Sequence, residues 1–180
     1  DRPLAFKPGI KWNYSIGIDI AGRLIEIISG EPLDVYIKKN LLDLLDMKDT
    51  EFFLPKTKVD RFADCFFYNE MHENFLPLVK QYKNFYYQKD QVTNFSGGSG
   101  LLSTGRDYLK FSSLLLNGGK YFNTRIFDSE VISSIRVNSL DLDIASIGVK
   151  TFAQMPTAGM GHSLAGSVII NPHPDFISNV

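Results

Sequence analysis

The stretch from Pro8 to Gly30 constrains this chain more than any other. It opens with a Pro8-Gly9 turn and passes the aromatic residues Trp12 and Tyr14. It then becomes a run whose apolar residues, Ile16, Ile20, Leu24, Ile27 and Ile28, recur at helical spacing. Ser15 is placed to cap that helix, because its hydroxyl oxygen can accept one of the unpaired amide hydrogens of the first turn. Gly30 closes it, as a residue free to take a positive φ. Tyr14 therefore stands just before a helix N-terminus, where the partial positive charge of the backbone favours an anion such as a phenolate. Read on residue type alone, a Tyr beside a Trp is more often a packing pair than a catalytic one.

The chain has 180 residues, enough to bury a core of its own. Hydrophobic residues make up 44% and charged residues 22%, a globular composition. A net charge of −1 with interspersed lysines and acids gives no footprint for nucleic acid. The single cysteine, Cys65, rules out an internal disulfide; its apolar, aromatic surroundings from Ala63 to Tyr68 predict a buried spectator. No apolar run is long enough to cross a membrane. The chain begins at Asp1 rather than Met, which reads as a processed or truncated start, so the compartment stays open.

Further along, Pro32 precedes a second helical pattern from Leu33 to Leu45, which ends in the turn Asp46-Met47-Lys48-Asp49-Thr50. Lys58 to Phe62 predicts a brief helical turn and Ala63 to Tyr68 a strand. Asn69 to Asn94 is rich in aromatics without a clean period. It reads as a long excursion whose Tyr82, Phe85, Tyr86 and Tyr87 either shape a substrate site or form a satellite core. The glycine cluster Gly97-Gly98-Ser99-Gly100 has no Lys in the position a phosphate-binding loop needs. It leads instead to a helix over about Arg106 to Asn117, capped by Ser103 or Thr104, with Asp107 in its first turn and Gly118-Gly119 as its stop. Asp128 to Val137 predicts one more short helix with Val131, Ile132 and Ile135 facing in. The chain then turns loop-like until a final strand, Gly166 to Ile170, before Asn171-Pro172.

Two blocks carry a family resemblance. Pro8-Gly9-x-x-Trp12-x-Tyr14-Ser15, followed by Asp19, Gly22, Ile25-Glu26 and Ser29-Gly30, resembles the serine hydrolases related to class C β-lactamases, which include esterases and D,D-peptidases. Gly97-Gly98-x-Gly100-Leu101-x-Ser103-Thr104-x-x-Asp107 resembles a loop of the same family that passes beneath the active site. The resemblance implies an α+β fold of the β-lactamase/transpeptidase type: an antiparallel sheet flanked by helices, with a helical region on one side. It implies acyl transfer through a serine acyl-enzyme, with Tyr14 as general base working with a lysine. Trp12 and Ile16 would shape the substrate's surroundings. In the family the third residue of the tyrosine motif is often Asn; Ile16 stands there and points to the esterase-like branch. The implied partner is a small ester or amide, with no cofactor, metal or nucleic acid; oligomeric state is left open. Tyrosine's reference pKa is about 10, so a nearby ammonium would have to stabilise the phenolate.

The family's Ser-x-x-Lys motif is absent from all 180 residues, and its third motif would lie beyond Val180. The expectation is an incomplete domain over residues 1–180, a piece of a longer protein. A catalytically dead, penicillin-binding-like module is the non-enzymatic alternative. A second enzyme reading rests on Gly161-His162-Ser163-Leu164-Ala165, which is close to the elbow that exposes the nucleophile of α/β-hydrolases, with Ser163 as nucleophile. That elbow needs a strand before it, a helix after it, and an acid then a His downstream. Here a strand-like segment follows, and His173 precedes Asp175. Aligned on the family instead, His162 to Pro172 matches a late sheet strand and leaves His162 as a loop residue.

Overall fold

In the computed structural model, which describes residues 3–77, 92 and 94–171, the first helix, α1, runs Gly17–Ser29. Its C-terminus follows from Gly30, whose N–H still bonds the Glu26 carbonyl and whose φ of 71° then turns the chain out of the helix. Its N-terminus differs from the sequence expectation: the capping position is Ile16, with no side-chain cap, so Ser15 does not cap it. The first turn is tied down by Asp19, which accepts from the Ser96 hydroxyl and, at 3.4 Å, from the Gly98 amide. The helix buries Gly22, where an added Cβ would meet Leu33 Cδ2 at 2.9 Å and the Gly97 backbone at 3.2 Å. Gly97 is held as closely, since a Cβ there would lie 2.3 Å from the Ile18 carbonyl oxygen. The helix and the glycine segment thus pack backbone to backbone, a contact only glycine permits. Ile16, Ile20, Leu24, Ile27 and Ile28 are exposed among the described residues.

Chain contacts group Ile16–Ser112 into one unit, and Asp1–Ser15 with Ser113–Val180 into another. In the first, Glu26 accepts the Leu33 amide at 3.0 Å and joins α1 to α2, Leu33–Ile37, which continues as a π-helical turn, Lys38–Leu42. Arg23 and the Leu33 amide together hold the Glu26 carboxyl below its usual range. Leu33, Leu42, Leu45, Met47, Phe52 and Leu54 form this unit's buried core. A 3₁₀ turn, Lys56–Arg61, follows and overlaps the helical turn expected over Lys58 to Phe62. β1, Phe66–Asn69, pairs antiparallel with β2, Asn74–Pro77. The expected long excursion therefore begins as a hairpin, stabilised by an edge-on ring contact between Tyr68 and Phe75 at 5.3 Å. Tyr82, Phe85, Tyr86 and Tyr87 lie outside the described residues. Cys65 is exposed, contrary to expectation. A two-stranded ribbon buries little beyond its cross-strand pairs, so an apolar run on it is not a core.

Asp49 links the 3₁₀ turn to the segment after α2. Arg61 grips both of its oxygens, at 3.1 and 2.7 Å, and Lys58 lies 3.1 Å away. The Arg61 hydrogen bonds, then those of Lys58, lower its pKa to about 2. The folded value lies below the unfolded one of about 3.9, so this stabilisation is present above about pH 4 and is lost as pH falls towards 2. Wild-type protein is expected to lose urea resistance between pH 4 and 2 more steeply than Asp49→Asn. Parallel midpoints over that range would exclude the coupling.

Helix α3, Gly105–Leu116, spans the boundary between the units. Thr104 Oγ1 accepts the Asp107 amide at 3.2 Å, the expected cap, and Gly118 and Gly119, at φ 64° and 90°, stop the helix. In the other unit, β3, Lys120–Tyr121, pairs with β4, Thr124–Arg125. α4, Ser129–Ser134, begins after Asp128 and buries Ile132; Val131, expected to face in, is exposed. The segment expected to be loop-like contains α5, Ile144–Ile147, and a hairpin of β5, Thr151–Phe152, with β6, Met155–Pro156. β7, Met160–His162, then pairs antiparallel with β8, Ser167–Ile169. His162 thus ends a strand rather than sitting in a loop. Leu114, Ile132 and Ile144 are this unit's buried apolar residues.

Candidate active site

Tyr14 and Trp12 belong to the unit of α4, α5 and β3–β8, and their backbone is fixed there. The Trp12 amide donates to the Ile147 carbonyl at 2.9 Å, at the end of α5. Gly148 makes room for that approach: a Cβ on it would meet the Trp12 carbonyl oxygen at 2.6 Å and the indole at 3.3 Å. Helix α5 is set by Asp143, which accepts from the Ser146 amide at 2.9 Å and from the Gly159 amide at 2.9 Å. The Ser146 hydroxyl also donates to it, and these bonds hold the Asp143 carboxyl below its ordinary pKa. One carboxylate therefore ties α5, whose end receives the Trp12 amide, to the loop that leads into β7.

The Trp12 indole faces the His162 ring at 5.7 Å between centroids, tilted 47°. Asn138 Oδ1 accepts the His162 amide at 2.9 Å, and the Ser139 amide donates to the His162 carbonyl at 2.8 Å. His162 Nδ1 lies 2.6 Å from the Ser163 carbonyl oxygen. A carbonyl only accepts, so Nδ1 carries the proton, and in the neutral ring Nε2 is left as an acceptor.

The Tyr14 ring rests on Phe152 at 4.8 Å, tilted 44°. Phe152 is presented by the β5–β6 hairpin, whose turn residues Ala153 and Gln154 both have positive φ, 48° and 67°. The base of that hairpin is clamped by buried Thr157, which donates its amide to Lys150 O at 3.1 Å and its hydroxyl to Val149 O. Tyr14 remains 69% exposed, so its hydroxyl is open to solvent rather than sealed in packing. Of the residues singled out from sequence, Trp12 and Tyr14 thus share one unit, while Ile16 belongs to the other and is exposed. Phe152 and His162 complete the aromatic surroundings of Trp12 and Tyr14. Nothing in the local sequence marks Phe152, because its hairpin turn lacks the Gly or Asn that such a turn favours.

Ser163 is not built as a nucleophile. It is 4% exposed and lies in the turn between β7 and β8, with a strand on each side where an elbow needs a helix behind it. Its hydroxyl donates to the Gly166 carbonyl at 2.9 Å and accepts the Ala165 and Gly166 amides, both at 3.1 Å. These bonds engage it as donor and as acceptor within its own turn. His173 and Asp175 lie outside the described residues. Among the described residues no group of three His, Cys, Asp or Glu side chains is placed to hold a metal, and no helix is long and apolar enough to cross a membrane.

The family model described as Beta-lactamase matches residues 1–129. The lovastatin esterase of Penicillium rubens is 32% identical over 128 residues, covering 71% of this chain and 32% of that protein. A putative D-alanyl-D-alanine carboxypeptidase of Escherichia coli K12 is 27% identical over 151 residues, covering 76% and 34%. Among solved structures, the LovD6 mutant of simvastatin synthase from Aspergillus terreus superposes with a TM-score of 0.75 at 22% identity, over 92% of this chain and 41% of that one. The fold is accordingly part of the β-lactamase/transpeptidase type, and the chain spans about a third of the length of these curated relatives. Motif blocks, fold and sequence matches agree that the chain belongs to the beta-lactamase family.

Proposed function

We propose that the protein to which this chain belongs is a serine hydrolase that transfers the acyl group of a short ester or amide through an acyl-enzyme, with Tyr14 as its general base. The observation that carries this reading is the solvent-open hydroxyl of Tyr14, held by its ring against Phe152 within a family-typical tyrosine motif. A serine outside these 180 residues attacks the carbonyl, and the Tyr14 oxygen takes its proton with the help of a lysine also outside them. Backbone amides hold the oxyanion, and water releases the acyl group. Trp12 provides an aromatic wall on the Tyr14 side, and Ile16, which stands where the family's tyrosine motif often has Asn, supports the esterase-like branch. The esterase among the relatives supports the ester class.

The test is covalent labelling of the full-length protein with a serine-reactive fluorophosphonate, followed by peptide mapping. The expected label falls on a serine outside residues 1–180, and Ser163→Ala leaves both labelling and ester turnover unchanged. Loss of label in Ser163→Ala would transfer the nucleophile to the β7–β8 turn. Absence of any label in the full-length wild type would make this a non-catalytic relative.

A further inference from the structure

The unit of residues 1–15 and 113–180 holds the Tyr14 segment at two points, and one short stretch, residues 147–157, supplies both. At its start, the Ile147 carbonyl accepts the Trp12 amide at 2.9 Å, two residues before Tyr14. Further on, the β5–β6 hairpin lays Phe152 against the Tyr14 ring, at 4.8 Å and 44°. That separation lies inside the range over which tilted aromatic pairs attract. No hydrogen bond or ion pair fixes the Tyr14 side chain among the described residues, so its direction rests on the ring contact.

The hairpin that carries Phe152 is strained. Its two turn residues, Ala153 and Gln154, both lie in the left-handed region, at φ 48° and 67°, and neither is the Gly, Asn or Asp that such a turn favours. Both are exposed, so no packing over the turn holds them there. The hold comes from the base of the ribbon. Buried Thr157 donates its amide to Lys150 O at 3.1 Å and its hydroxyl to Val149 O, and the Gly159 amide beyond it is fixed by Asp143 at 2.9 Å. Strained backbone persists only where the surrounding structure over-determines it, and it gathers at functional sites. What this strained ribbon presents is one ring, 40% exposed and outside any core.

We propose that Phe152 is a positioning residue for Tyr14: its ring sets the plane of the phenol, and through it the place of the oxygen that takes the serine's proton. The assignment rests on Tyr14 being the general base. Proton transfer needs the two oxygens within hydrogen-bond reach of each other. Without its neighbour the phenol keeps its hydroxyl but swings about its side-chain torsions and loses that placement.

The test is steady-state hydrolysis of an activated acetate ester by the full-length protein. Phe152→Ala is expected to lower kcat about ten- to hundredfold, the scale of a misplacement of about 1 Å. KM is expected to stay within about twofold, since the placement matters as the serine attacks rather than as substrate binds. Phe152→Tyr, which keeps the ring, is expected to keep the wild-type kcat. In a Tyr14→Phe background the oxygen that Phe152 places is gone, so adding Phe152→Ala is expected to change the residual kcat by less than about twofold. Wild-type kcat in Phe152→Ala beside a slow Tyr14→Phe would overturn this assignment and leave Tyr14 as the base. An equal fold-loss from Phe152→Ala in both backgrounds would overturn it too, because Phe152 would then act on the fold and not through the phenol. So would a low kcat in Phe152→Tyr. Full turnover in Tyr14→Phe would remove the base, and this assignment with it.

Discussion

Replacing Tyr14 by Phe in the full-length protein is expected to lower kcat for a short ester by about 10²- to 10⁴-fold, the range a positioned general base contributes. That corresponds to about 2.7–5.5 kcal/mol of transition-state stabilisation. The substitution removes one oxygen and keeps the ring. The contact with Phe152 at 4.8 Å therefore survives, and with it the local position of the loop. Because the hydroxyl is exposed, its loss is expected to move the unfolding free energy by no more than about 0.5 kcal/mol. KM is expected to change little, since the proton is taken as the serine attacks rather than as substrate binds. The measurement is steady-state hydrolysis of an activated acetate ester, beside a urea titration of the same preparation. Full turnover in a stably folded Tyr14→Phe protein would remove the phenol from the chemistry. A fall in kcat matched by a fall in stability would make it a packing residue.

What the sequence made legible, and what it did not, divides along a physical line. Features fixed by a few neighbouring residues were readable. Gly30 ends α1 because a positive φ is needed there, Thr104 caps α3 because its oxygen reaches the Asp107 amide, and Gly118-Gly119 stop that helix. The strand after Ser163 was readable from its β-branched residues, and it counted against a hydrolase elbow before any geometry was known. Features decided by distant partners were not. Ser15 has the chemistry of a cap, yet the start of α1 is secured by Asp19 and the segment of Ser96 to Gly98, 77 and 79 residues on. Gly97 stood out in sequence only as part of a glycine cluster; what excludes a side chain there is the Ile18 carbonyl of another element. Cys65 sits in an apolar run that turns out to be an exposed ribbon. The candidate site follows the same division. Tyr14 and Trp12 were visible in a local motif, whereas Phe152 and His162 reach them only through α5 and the paired strands.

Asp107→Ala is expected to destabilise the protein by about 3–5 kcal/mol, the cost of stranding buried groups around a removed charge. Asp107 is 3% exposed on the first turn of α3. Its Oδ2 accepts the Asp49 amide at 2.8 Å and the Thr50 hydroxyl at 3.1 Å, across 58 and 57 residues of sequence. Thr50 is itself buried and shares a further bond of 2.8 Å with the Ser103 hydroxyl. The Lys110 ammonium stands 3.4 Å from Oδ1, and it also donates to the Asp46 carbonyl. One carboxylate thus fastens the segment after α2 to the start of α3, beside the backbone pair of Glu51 and Leu102. Alanine would leave the Asp49 amide and the Thr50 hydroxyl without their acceptor, in a place water does not reach. Asparagine keeps the shape and, with its carbonyl oxygen in the place of Oδ2, can still accept both bonds, while losing the charge opposite Lys110. Asp107→Asn is therefore expected to lie between wild type and Asp107→Ala, and Thr50→Val to lose about 1–3 kcal/mol through the two bonds it gives up, to Asp107 Oδ2 and to the Ser103 hydroxyl. Urea titrations of the full-length variants at pH 7 read this order directly. Equal midpoints for Asp107→Ala and wild type would mean that the segment is held by its apolar packing alone. A double variant of Asp107→Ala with Thr50→Val that costs less than the sum of the two single losses would locate the penalty in the orphaned hydroxyl, as the geometry requires.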